Sequence, residues 1–100
     1  MRRLIFKERS KEDLLGIFDY IAKDSPEIAE NFVEDLITTC ELLQANPELG
    51  MSKPNLGDHI RMLVHRKYCI YYQFAPGSDT LRIVRVLHPS LDVSRQQFDE

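Results

Sequence analysis

One hundred residues with 43% apolar and 29% charged side chains describe one ordinary globular domain, 1–100, expected to bury about 65% of its unfolded surface. No apolar run approaches the about 18 residues of a membrane span, and Met1-Arg2-Arg3 leads into only a short apolar stretch. Membrane insertion is therefore not expected, and the cytoplasm is the expected location. The net charge of −3 argues against general nucleic-acid binding, because phosphate neutralisation supplies most of that affinity.

The charge is uneven: residues 1–50 hold six Lys/Arg against eleven Asp/Glu (−5), and residues 51–100 hold seven against five (+2). The acidic half begins with a short strand, Arg2 to Phe6. Ser10 reads as a helix N-cap, with Asp13 three residues on in capping-box fashion. Leu14, Ile17, Phe18 and Ile21 follow at helical spacing and give one apolar stripe. The helix ends near Lys23. Ser25 and Pro26 then restart the chain as N-cap and first helical residue. The second helix places Ala29, Phe32, Val33, Leu36, Ile37, Cys40 and Leu43 on one face and stops before Asn46-Pro47. Two helices across so short a break form an antiparallel hairpin.

Met51 to Asp58, with Pro54 and Gly57, reads as a surface loop. Three strands follow, at Ile60 to His65, Tyr68 to Phe74 and Leu81 to His88. Arg66-Lys67 and Pro76-Gly77-Ser78-Asp79 turn the chain between them. The last strand is apolar on both faces, which marks an interior position. Pro89 ends it, and Asp92 to Glu100 reads as a polar tail. The expected class is α+β, a helix hairpin packed on a small antiparallel sheet. Cys40 and Cys69 read as small core residues in a reducing compartment.

No strong catalytic signature is present: no phosphate-cradling glycine loop, no paired cysteines, no zinc-protease helix. Ser90 or Ser94 with His88 and Asp92 crowd one strand end without a nucleophile elbow, so a triad is not expected. His59, His65 and His88 match no metal-ligand spacing, and no metal or cofactor is expected. The basic and aromatic set Arg61, Arg66, Lys67, Tyr68, Tyr71, Arg82 and Arg85 allows two readings. One is a sheet face that holds RNA, with Arg stabilising a cleavage transition state and Tyr stacking a base. The other is a set of strand-face arginines paired with carboxylates, with Tyr68 and Tyr72 in the core.

Five segments in order, DLLGIFDYIA (Asp13 to Ala22), SPEIAENF (Ser25 to Phe32), LLQANPELG (Leu42 to Gly50), IRMLVHRKYCIYY (Ile60 to Tyr72) and RVLHPSLD (Arg85 to Asp92), resemble ParE toxins of the RelE/ParE toxin–antitoxin superfamily. The resemblance covers essentially the whole chain. It implies the same α+β fold and a ParD-type antitoxin that wraps the toxin and itself carries the operator-DNA contact. ParE-like toxins poison DNA gyrase; RelE-like toxins cut mRNA on the ribosome.

The RelE-like branch places Arg after the middle-strand aromatic, where this chain has Cys69 after Tyr68. It also carries a C-terminal Tyr, where this chain offers Phe98, which stacks but transfers no proton. The resemblance therefore implies a non-enzymatic gyrase inhibitor, with a ribosome-dependent nuclease or an inactive co-repressor as alternatives. Its target-interaction candidates are Arg61, Arg66, Arg82, Arg85, His88 and Asp92, and Arg85→Ala is expected to lower toxicity without unfolding the domain. Antitoxin-binding candidates are Leu14, Leu15, Phe18 and Leu91. Many relatives carry Arg where this chain has Leu91, which puts its potency in question.

Overall fold

The computed structural model describes residues 2–98. Strand β1 (Arg3–Phe6) leads at once into α1 (Glu8–Ala22) and α2 (Pro26–Ala45). Then come β2 (Met51–Ser52), β3 (Ile60–His65), β4 (Tyr68–Gln73) and β5 (Thr80–Leu87), with 3-10 turns at Pro54–Leu56 and Val93–Arg95. The sheet order is β1-β5-β4-β3-β2.

The helix hairpin on a sheet is as the sequence predicts, but the sheet is mixed rather than antiparallel. β1 runs parallel to β5, from Arg3 opposite Thr80 to Phe6 opposite Ile83. A parallel pair needs a long crossover, and the helix hairpin is part of the one that carries the chain from β1 to β5. The expected loop 51–58 also holds more structure than its Pro and Gly suggest. Met51 and Ser52 pair with Met62 and Arg61 as an edge strand.

The start of α1 differs from the capping-box reading. Lys7 is the N-cap and provides no side-chain cap. Its N–H continues the β1 ladder by donating to the Ile83 carbonyl at 2.9 Å, so the helix begins where the strand lets go. Ser10 sits one turn in, fully buried, and its hydroxyl donates back to the Lys7 carbonyl at 2.7 Å. The second helix keeps its expected signals: Ser25 Oγ accepts from the Ile28 N–H at 3.2 Å, with Pro26 first.

One core lies between the helices and the sheet. Leu36, Cys40, Leu43, Ile70, Tyr72, Leu81 and Ile83 are wholly buried there. Burial, and secondarily Glu41, push the Cys40 thiol up to about 12, which makes it an inert apolar filler. Tyr72 also ties down the loop after α2: its hydroxyl accepts from the Gly50 N–H at 2.8 Å and donates to the Pro47 carbonyl at 2.7 Å.

A second cluster occupies the opposite face of the sheet. Ile60, Cys69, Tyr71, Val84 and Leu87 are buried there beneath Leu56, Met62, Val93 and Phe98. The segment expected to be a polar tail thus folds back over the sheet as far as Phe98, whose ring meets Tyr71 edge-on at 4.9 Å; Asp99 and Glu100 lie outside the described residues. A register shift opposes Tyr71 to Arg85 but Tyr72 to Ile83, leaving Val84 as the extra residue of a bulge.

Candidate functional site

The six arginine, histidine and aspartate candidates do not converge on one surface. Arg61 lies at the β2–β3 edge. Its Nε donates to the Gly50 carbonyl at 3.0 Å and its Nη2 to the Glu48 carbonyl at 3.3 Å. The guanidinium thereby staples the same loop that Tyr72 holds from inside. Arg82 is half-buried opposite Gln73 and forms no ion pair among the described residues.

Arg85 is buried, at 8% exposure. Its Nε and Nη2 donate to the two oxygens of Asp13 at 2.8 and 2.9 Å, and its Nη1 donates to the Gln97 carbonyl at 3.0 Å. The hydrogen bond to Asp13 raises the guanidinium pKa against the opposing effect of burial. Asp13 also accepts from the Val86 N–H at 3.0 Å. β1 stops short of this part of β5, so the carboxylate completes an edge that would otherwise be open. Sequence reasoning assigned Asp13 to the helix cap and missed this. Arg85→Ala is therefore expected to cost stability by leaving the Asp13 carboxylate without its partner, so a loss of toxicity in that variant would not by itself report on target contact.

The groups that do gather lie at the β3–β4 hairpin tip. A shallow notch there is lined by Tyr20, Arg66, Lys67, Tyr68, His88 and Ser90. The tip turns through Arg66 and Lys67 at φ of 51° and 74°, the positive-φ pair that a two-residue hairpin requires. Arg66 stacks over the Phe32 ring at 5.0 Å and its Nε lies 3.5 Å from Asp35, whose same oxygen is 2.8 Å from His65 Nε2. Tyr68 meets Phe32 and His88 edge-on at 5.7 and 5.5 Å. Burial first, then the neighbouring Tyr20, raise the Tyr68 hydroxyl above its ordinary pKa.

This arrangement suits recognition better than chemistry. The Ser90 N–H donates to His88 Nδ1 at 3.1 Å, so that nitrogen is an acceptor, and the Ser90 hydroxyl donates a hydrogen bond to it as well at 2.8 Å. A serine–histidine contact exists, but nothing orients it as a triad: Asp92 turns instead to Ser94, accepting from its amide at 3.0 Å and its hydroxyl at 2.7 Å. These bonds, the hydroxyl first, hold the exposed Asp92 carboxyl below its usual range.

A family model described as the ParE toxin of the type II toxin–antitoxin system parDE matches residues 4–92. The chain belongs to the ParE toxin family. A solved structure described as the chromosomal ParDE system from P. aeruginosa superposes with a TM-score of 0.73 at 22% identity, covering 88% of this chain and 96% of that one. At that identity the likeness speaks for the fold. No curated protein sequence matches.

Within this ParE-family chain the four apolar candidates separate. Leu14 is a core residue at 8% exposure and Phe18 is half-buried, so neither offers much open surface. Leu15, at 62%, and Leu91, at 44%, stand in solvent. Leu91 belongs to a groove between α1 and the end of β5, along with Gly16 and Tyr20. Tyr20, 71% exposed, was not singled out from the sequence, although an aromatic off the apolar stripe of a helix was the available signal.

Proposed function

We propose that this ParE-family toxin acts in the cytoplasm as a non-enzymatic inhibitor of DNA gyrase and is held inactive by a ParD-type antitoxin. Operator DNA is reached only through that antitoxin. No helix among the described residues is long and apolar enough to cross a membrane.

One observation carries the choice against RNA cleavage. A ribosome-dependent nuclease needs several free guanidinium or ammonium groups converging where phosphate charge develops. Here Arg61 is committed to two loop carbonyls and Arg85 to a buried carboxylate, while the C-terminal segment covers the back of the sheet. Arg66, Arg82, His88 and Asp92 remain the surface groups proposed to meet the target. Leu15 and Leu91 are the apolar residues proposed to meet the antitoxin.

Purified chain added to gyrase with ATP and supercoiled plasmid should abolish supercoiling and trap double-strand breaks, and the antitoxin should reverse both. Unaffected gyrase at excess folded toxin rejects this reading. A second reading, mRNA cleavage at the notch of Arg66, Lys67, Tyr68 and His88, is favoured by the proximity of those four side chains. Induction followed by primer extension separates it, because only a nuclease leaves discrete message ends.

A further inference from the structure

Away from its tip, the β3–β4 pair ends at a cavity of about 640 Å³ whose lining includes Arg2, Glu48, His59, Arg61, Phe74 and Pro76. Distant segments supply these residues, and the fold holds several of them in place. The Arg2 carbonyl accepts from Gln44 Nε2 on α2, and its guanidinium lies over the Phe74 ring at 5.1 Å. Arg61 is fixed by its two bonds to the 48–50 loop, which leave its Nη1 without a partner among the described residues. His59 stands at a φ of 61° and its carbonyl accepts from the Phe74 N–H at 3.2 Å. That bond ties two of the cavity walls together. A site formed in advance loses little freedom when a ligand enters.

Arg2, Arg61 and Glu48 line this one cavity, yet none of the three has an ion-pair partner among the described residues. Their mixed sign narrows what can bind. A phosphate-bearing ligand or a nucleic-acid strand would be repelled by Glu48, and a simple cation would face two guanidiniums. A carboxylate matches the planar N–H edges of arginine, and Glu48 calls for an ammonium. The rings of Phe74 and Pro76 call for hydrocarbon. The volume falls in the range of small-molecule sites, about 300–1,000 Å³.

We propose that this cavity binds a small zwitterion, a free α-amino acid with a large apolar side chain. Its carboxylate lies between the Arg2 and Arg61 guanidiniums, with Arg61 Nη1 as one donor. Its ammonium meets Glu48, and its side chain lies along Phe74 and Pro76. One molecule carrying both charges and a hydrocarbon body satisfies all the unpaired groups at once. Binding is non-covalent and does not depend on the gyrase reading above.

The test titrates the full chain with L-phenylalanine, its amide, its N-acetyl derivative, inorganic phosphate and adenosine monophosphate, read by NMR shifts of the backbone amides. Phenylalanine should bind and shift the amides of Arg61 and Phe74. The amide, which lacks the carboxylate, and the N-acetyl derivative, which lacks the ammonium, should each bind about tenfold more weakly or worse. Arg2→Gln and Glu48→Gln should unfold at the parent's temperature and weaken phenylalanine binding. Arg2→Gln should leave binding of the amide unchanged, and Glu48→Gln that of the N-acetyl derivative, a selectivity that a merely structural role would not produce. No binding of phenylalanine at millimolar concentration by the folded chain overturns the proposal. So does equal binding of phenylalanine and either derivative, or phenylalanine affinity unaltered in both variants. Tighter binding of phosphate or adenosine monophosphate also overturns it and assigns the cavity to a phosphate ligand.

Discussion

Asp13 of α1 and Arg85 of β5, 72 residues apart in sequence, form a two-pronged ion pair at 2.8 and 2.9 Å. The same carboxylate caps the Val86 N–H where β1 has ended. One side chain thus fixes the helix hairpin against the sheet and closes a strand edge. Both partners are largely shielded, at 10% and 13% side-chain exposure, so removing one strands the other.

Asp13→Ala should therefore destabilise the domain by about 3 kcal/mol, the range for breaking a buried pair from one side. The urea midpoint reads it. Adding Arg85→Met should recover part of the loss, since the orphaned charge goes with it. A double variant less stable than the single one would show that the guanidinium does not depend on this carboxylate.

Tyr72 joins the core to the 47–50 loop. Tyr72→Phe leaves the Gly50 N–H and the Pro47 carbonyl without their partner, which should lower stability by about 1–3 kcal/mol. Gly50→Ala should destabilise for a different reason: its methyl would sit 2.5 Å from the Tyr72 hydroxyl oxygen and 2.8 Å from the Met62 carbonyl. Chemical denaturation of each variant, and of the pair, is the measurement. Because the two sites touch, the losses should not add.

Lys67 is exposed at a φ of 74°, a conformation that strains any residue with a Cβ. Lys67→Gly relieves that strain while giving the unfolded chain more freedom. A net gain of about 0.5–1 kcal/mol is expected, seen as a higher unfolding temperature. Lower stability would mean that the lysine side chain makes a compensating contact.

Asp92 is depressed by the Ser94 hydroxyl and amide. A depressed carboxyl contributes stability above its unfolded value, near 3.8, and loses it as pH falls through the lower folded value. Ser94→Ala removes the larger of the two hydrogen bonds. It should raise the Asp92 midpoint in an NMR titration without moving stability at neutral pH beyond experimental error, because the site is solvent-exposed.

Much of the scaffold was legible without coordinates. Helical spacing of Leu14, Ile17 and Ile21, the Ser25-Pro26 start, and the alternation of Tyr68, Ile70 and Tyr72 are local signals, and they place the helix hairpin, the β3–β4 hairpin and the buried tyrosine. Five short motifs in order also pointed to the family. The placement of Arg66 and Lys67 in a tight turn likewise followed from their position between two strand patterns.

What the sequence could not carry were contacts between distant segments. Asp13 fits a capping box by spacing, yet β1 extends its ladder to Lys7 and starts the helix early, freeing that carboxylate for β5. The sequence left Arg85 open between a target-facing guanidinium and one paired with a carboxylate. It could not name Asp13 as the partner, because alternation alone does not reveal a bulge at Val84 or a covering segment at 93–98. Val93 and Phe98 are too sparse for a periodic signal, and only the apolar back of the sheet gives them somewhere to pack. The notch and the groove exist because α1, the hairpin tip and the end of β5 meet in space. Residue types and their spacing determined the elements; the union of elements far apart in the chain decided which charges are free and which are held.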